Sequence, residues 1–250
     1  GKKSVMLEKR MQALQTRLRG LWRRLLRPRT VRNHGVFLNA TSPLISKTIR
    51  RSIYEGGYES KECQLLSETL ESDDRVLELG AGLGFIGAFC CRRLGSGARV
   101  CCVEANPALK PLAQETFALN NVQPVFVNAA VALENGKQTL HVPDNFWSAS
   151  TVCDMTGATG VDVPTVSLQS LLDDFRPTFL IVDIEGAECA LLRHPLPGVK
   201  KICVEVHPHV TGDMAISDMV ASLHSHNFIV DYRRSTPAVL FLRKRVADTR

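Results

Sequence analysis

Short apolar runs alternate with longer amphipathic stretches from about residue 61 onward, the pattern of strands and helices taking turns. The spacing predicts a helix over 61–71, a turn at Ser72-Asp73-Asp74, a strand over 75–79, a helix over 84–95 and a strand over 99–104. A helix over about 107–120 and a strand over 124–128 continue the series. It resumes with strand 179–183, helix 186–193, strand 200–206 and helix 214–226. Such an order implies parallel strands joined by crossover helices, hence an α/β, doubly wound sheet. Two last β-like runs, 227–231 and 238–243, predict an antiparallel pair closing one edge.

The rhythm breaks in two places. Residues 33–60 read as a polar lead-in, interrupted by Gly35, Pro43 and Gly56-Gly57. Residues 131–142 hold Asn135-Gly136 between two β-like arms, which predicts a hairpin. The Ser/Thr/Gly/Asp-rich stretch that follows, to residue 162, predicts an irregular loop lining a cleft.

The N-terminus has its own pattern. Leu7, Met11, Leu14, Leu18, Leu21 and Leu25 recur at spacings of 4, 3, 4, 3, 4, an a/d seam flanked by arginines and stopped by Pro28. Three readings are open: a helix packed on its own domain or on a twin, a basic amphipathic helix on an anionic membrane, or a nucleic-acid contact. Charge sharpens the division into an arm (1–32) and a folded domain (33–250). Residues 1–32 hold eleven Lys/Arg against Glu8 alone, a net +10, while the rest of the 250-residue chain sums to −4. Because the body is mildly acidic, nucleic acid is an unlikely partner. The partners expected through 1–30 are a homo-oligomer or an anionic membrane surface.

Eight cysteines fall mostly in apolar core segments, without C-x-x-C spacing. That argues against a zinc site and reads as free, buried thiols in a reducing cytoplasm, with a peripheral membrane location through the arm left open. No run reaches the length of a spanning helix. The chain begins at Gly1 without a methionine, which leaves room for an upstream segment.

The chemistry is densest at Glu78-Leu79-Gly80-Ala81-Gly82-Leu83-Gly84-Phe85, a glycine turn between a strand and a helix. Gly82 to Gly87 also fits the dinucleotide pattern G-x-G-x-x-G, and a glycine turn can serve packing alone. Glu78 favours a different ligand. A carboxylate beside a pyrophosphate would be repelled, whereas an ammonium and a sulfonium would be attracted, as in S-adenosylmethionine. Glu104 ends the next strand, where a carboxylate accepts from ribose hydroxyls. Downstream, Asp183, Glu185, Glu205 and His207 stand at the carboxyl ends of two more strands and should crowd the same cleft.

With these residues in hand, the chain resembles the FkbM family of S-adenosylmethionine-dependent methyltransferases, from about Tyr58 to the C-terminal strands. The resemblance rests on Gly57-Tyr58-Glu59, on Leu77 to Gly84, on Val103-Glu104-Ala105-Asn106-Pro107 and on Trp147-Ser148-Ala149-Ser150. Asp183-Ile184-Glu185-Gly186-Ala187-Glu188 and Glu205-Val206-His207-Pro208 carry it most specifically. It implies a Rossmann-like, seven-stranded, mostly parallel sheet and O-methylation of a sugar, glycan or natural-product hydroxyl. It also implies a cofactor site of Glu59, Glu78, Gly80, Gly82, Gly84, Phe85, Glu104, Ala105, Asn128 and Asp183. Ile181 departs from the family, which commonly carries Lys there.

Asp183 is the leading base, His207 the second, and Glu205 would orient His207 or bind a substrate hydroxyl. No metal is expected, with Asp183, Glu185 and Glu205 as a weak alternative ligand set. Trp147 reads as an aromatic cap on the cofactor or as core. Action on a protein or RNA recruited by the arm, and non-catalytic cofactor binding, are the competing functions.

Overall fold

Strand β3 (Val76–Leu79) lies fully buried in the interior of a seven-stranded sheet, beside its middle strand. The computed structural model describes residues 20–142 and 159–245, together with Met6, Met11, Gln15 and Leu18. Trp147 and the segment around it lie outside the described residues. The strand order is β11-β12-β10-β9-β3-β4-β5, formed by Phe228–Val230, Val239–Lys244, Lys201–Glu205, Phe179–Val182, β3, Val100–Val103 and Val125–Val127. Pairings among β10, β9, β3, β4 and β5 are parallel. Strand β12 runs antiparallel to both β10 and β11, the edge pair expected from the sequence.

Alternation along the strands builds two cores, one on each face. Val76, Val100, Cys102, Phe179, Ile181 and Cys203 pack on one side with helices α1 to α4 (Lys47–Glu55, Ser60–Thr69, Phe85–Leu94, Lys110–Leu119). Leu77, Leu79, Val103, Leu180, Val182 and Val204 pack on the other with α5 to α7 (Leu168–Phe175, Glu188–Leu191, Pro208–Ser225). The seven described cysteines are free and buried, as their apolar settings imply. No helix among the described residues is long and apolar enough to cross a membrane.

Two regions differ from the sequence-based expectation. The lead-in is structured: β1 (Thr30–Asn33) and β2 (Val36–Asn39) form a hairpin over His34 and Gly35, both at positive φ as a tight primed turn requires. Helix α1 follows, with the Ser46 side chain accepting from the Ile49 amide and Gly56 as its left-handed cap. Its charged surface hid the buried pair Ile53 and Tyr54.

The expected 131–142 hairpin does not form. Strands β6 (Ala130–Ala132) and β7 (Gly136–Val142) both pair with β8 (Thr159–Ser167), which inserts between them. Asn135 turns no hairpin. Its side chain accepts from the Ser167 amide and donates to Ser170 Oγ, tying the connection to the start of α5.

Candidate active site

The carboxyl ends of β3, β4, β9 and β10 open on one cleft of about 290 Å³. It lies beside β3, whose neighbours are reached by chain running in opposite directions, the switch point where doubly wound sheets take ligands. Among the described residues seven carboxylates line it, Glu59, Glu62, Glu78, Glu104, Asp183, Glu185 and Glu205, with His207 and with no Lys or Arg. Such a lining favours a cationic ligand and opposes a phosphate.

The glycine turn is built by close approach. The Gly80 and Ala81 amides donate to the Val103 carbonyl at 2.9 and 3.0 Å. Gly80 has φ +89, and a Cβ there would fall 1.7 Å from the Asp183 carbonyl oxygen. Gly82, at φ +51, lines the cleft and would point a Cβ into open space, leaving room for a ligand to pass the backbone. Gly84 serves packing instead. It lies outside the cleft lining, and a Cβ there would meet the Phe117 ring at 2.8 Å.

Glu104 ends β4 with 7% exposure. It accepts from the Gly82 amide through one carboxylate oxygen and from the Asn106 amide through the other, both at 2.7 Å. Each oxygen keeps a second lone pair for a ribose hydroxyl. Burial raises its pKa, against the pull of the Asn106 and Gly82 amides. Asn128 does not reach the cleft lining. Its side-chain amide donates to the Glu104 carbonyl at 2.7 Å and braces the strand end. Ala105 and Phe85 line the cleft, and Tyr58 meets Phe85 edge-on at 5.3 Å.

Glu78 is 3% exposed, and its Oε2 has no hydrogen-bond partner. Burial pushes its carboxyl up to about 8, with the Cys102 thiol acting against that shift and the Glu104 and Asp183 charges adding to it. Its cross-strand neighbours are Cys102 and Ile181. A lysine at the latter position would face Glu78; isoleucine leaves the acid without a counter-charge. Such a buried, unpaired carboxyl fits a ligand that brings its own positive charge. Glu59 caps α2 in the left-handed region (φ 52), and burial, then Glu62 and Asp183, hold its carboxyl high.

The second centre forms where β9 and β10 end. Asp183 Oδ1 lies 3.5 Å from His207 Nε2, Glu185 Oε2 lies 3.7 Å from the same nitrogen, and Oδ1 makes no hydrogen bond. The expected orienting partner, Glu205, is not the one observed. Glu188, fully buried, faces His207 Nδ1 at 3.3 Å and accepts from the Gly186 amide at 2.7 Å. Its hydrogen bond to His207 is the main cause that pushes the imidazole up to about 9, against burial and together with Glu185 and Asp183. Burial and the Glu205 charge raise Asp183 to about 8, opposed by His207.

Asp183, Glu205 and His207 each offer an atom within 4.8 Å of the others, so a cation's ligands would include His207 rather than Glu185. Glu62 and Glu188 escaped the sequence reading. Glu62 sits one turn beyond Glu59, and Glu188 shares the Asp183 motif.

The model of the methyltransferase FkbM domain matches residues 78–230. No curated protein matches the sequence. Among solved structures the chain is similar to a putative transferase from Pyrococcus horikoshii, at 12% identity and a TM-score of 0.48 over 94% of this chain and 85% of that one. It is also similar to TYW2 of M. jannaschii in complex with AdoMet, at 11% identity and a TM-score of 0.42 over 85% and 82%. Fibrillarin of Aeropyrum pernix with bound S-adenosyl-L-methionine gives 11% identity and a TM-score of 0.38 over 68% and 66%. With most of the folded domain matched, from Glu78 through the acids of β9 and β10, the chain belongs to the FkbM methyltransferase family, and S-adenosylmethionine is its cofactor.

Proposed function

We propose that the protein methylates a hydroxyl group on a sugar, glycan or natural product, with Asp183 as the base. The observation that carries this reading is Asp183 Oδ1, unpartnered beside His207 Nε2 at 3.5 Å in the cleft that the glycine turn opens on. When bound, S-adenosylmethionine supplies a methyl group on a sulfonium. Glu104 and Gly82 would hold its ribose side, and Glu78, Gly80 and the Asp183 backbone its charged end. The chain's own work is to align the acceptor oxygen with that methyl and to exclude water. Asp183 takes the hydroxyl proton as the new carbon–oxygen bond forms. His207, fixed by Glu188, stabilises the ionised Asp183 before transfer.

The test is incubation with methyl-labelled cofactor and an array of glycan, lipid and polyketide acceptors, with the site of the label read by NMR. Label on an acceptor oxygen supports the reading; label on nitrogen or carbon, or on protein or RNA only, opposes it. A second reading uses the same groups, with Asp183, Glu205 and His207 holding a divalent cation that binds the acceptor. Loss of turnover in a chelator with recovery in magnesium favours that reading. Binding of cofactor without turnover on any acceptor would favour a non-catalytic module.

A further inference from the structure

The described end of the N-terminal arm is helical over 20–26 and rests on the body through one face. Gly20 is buried, and a Cβ there would come within 3.3 Å of the Glu55 backbone. Arg24 pairs with Glu55 at 3.3 Å, and Arg23 donates to the Arg32 carbonyl at 3.5 Å. At about 100° per residue, Gly20, Arg23, Arg24 and Arg27 share one side of the helix. Leu18, Leu21, Trp22, Leu25 and Leu26 fall on the other. That second side faces solvent, with Trp22 62%, Leu25 75% and Leu26 73% exposed. Of the three readings of the seam, packing on its own domain is not met by its described residues Met11, Leu18, Leu21 and Leu25, which are exposed.

Charge decides between the possible occupants. Residues 1–32 carry a net +10, so a second copy would bring two strongly cationic arms together. A nucleic-acid backbone would meet the arginines yet leave the leucines and Trp22 in water. An anionic bilayer satisfies both: the net +10 of the arm draws it to the lipid phosphates, and the outward apolar stripe enters the boundary between headgroups and acyl chains. An indole ring also suits that boundary, with an apolar body and one polar N–H.

We infer that the outward face of the arm helix docks the protein on an anionic lipid surface. The seat of the helix is Glu55, at the end of α1, and Tyr58 and Glu59 of the cleft follow within four residues. Docking through this face anchors the chain beside the cleft wall.

Trp22 and Trp147 are the two tryptophans, so a full-length Trp147→Phe variant reports on Trp22 alone. Its emission should shift to the blue with phosphatidylcholine vesicles containing phosphatidylglycerol, and not with phosphatidylcholine alone. Co-sedimentation should be at least about tenfold stronger with the anionic vesicles and should weaken as salt rises. A Leu21→Ser, Leu25→Ser variant changes only exposed positions. It should lose about tenfold or more in vesicle binding while binding S-adenosylhomocysteine as before. Unchanged emission with anionic vesicles, or equal sedimentation of the double variant, overturns the inference. So does a dimeric mass in light scattering that the double variant halves, which would assign the face to a second copy.

Discussion

Glu78→Gln separates the demands of the ligand from those of the fold. The buried Glu78 carboxyl is held up to about 8 from an ordinary 4.5. A carboxyl raised in this way keeps a proton in the fold that the unfolded chain has released. Its contribution to stability is complete below about pH 4.5 and is lost as pH rises to about 8. At pH 7 the loss amounts to about 3 kcal/mol, or on the order of 10 °C in melting temperature for a domain of this size. Glutamine keeps the shape and removes the titration. The ligand-free variant should therefore melt with the wild type near pH 5 and above it by a widening margin toward pH 8, as followed by circular dichroism. S-adenosylmethionine should stabilise the wild type more than the variant at pH 8, because only the wild type then offers it a carboxylate. Parallel pH profiles for the two ligand-free proteins would refute the assignment of Glu78 as a buried, unpaired acid.

Ile181→Lys places an ammonium opposite Glu78 and should flatten the same pH profile, with cofactor affinity reduced as the cleft loses its negative charge. Asp183→Asn should leave cofactor affinity within a few fold and lower turnover by about 10²–10⁴; turnover that survives it but collapses with His207→Ala reverses their roles. Glu188→Gln removes the acceptor that stabilises the His207 imidazolium, so the alkaline loss of kcat/KM, expected as His207 gives up its proton near about 9, should move to lower pH. An unmoved profile would leave Glu188 with a packing role only.

The sheet was legible because its strands are buried on both faces and read as unbroken apolar runs. The cleft was legible because Glu78, Glu104, Asp183 and Glu205 all stand at strand ends. What escaped depended on tertiary partners. Strand β8 takes its place from pairing with β6 and β7, a choice no local pattern in 131–142 encodes. Gly84 and Asn128 carry a ligand-like pattern but meet Phe117 and the Glu104 backbone, contacts made across elements. Glu188 resembles a surface acid in sequence, and only the fold buries it against His207.

Calorimetric titration of S-adenosylhomocysteine into the wild type, Gly82→Val and Glu104→Ala tests the cofactor site most directly. Binding in the micromolar range is expected for the wild type, with none comparable for NAD. Gly82→Val should abolish it by filling the open space beside the turn. Glu104→Ala should weaken it at least about tenfold, since each charge-assisted hydrogen bond lost is worth roughly 1.5–3 kcal/mol. Equal affinity for NAD, or an unchanged dissociation constant in Glu104→Ala with the fold intact, would contradict the placement of the cofactor in this cleft.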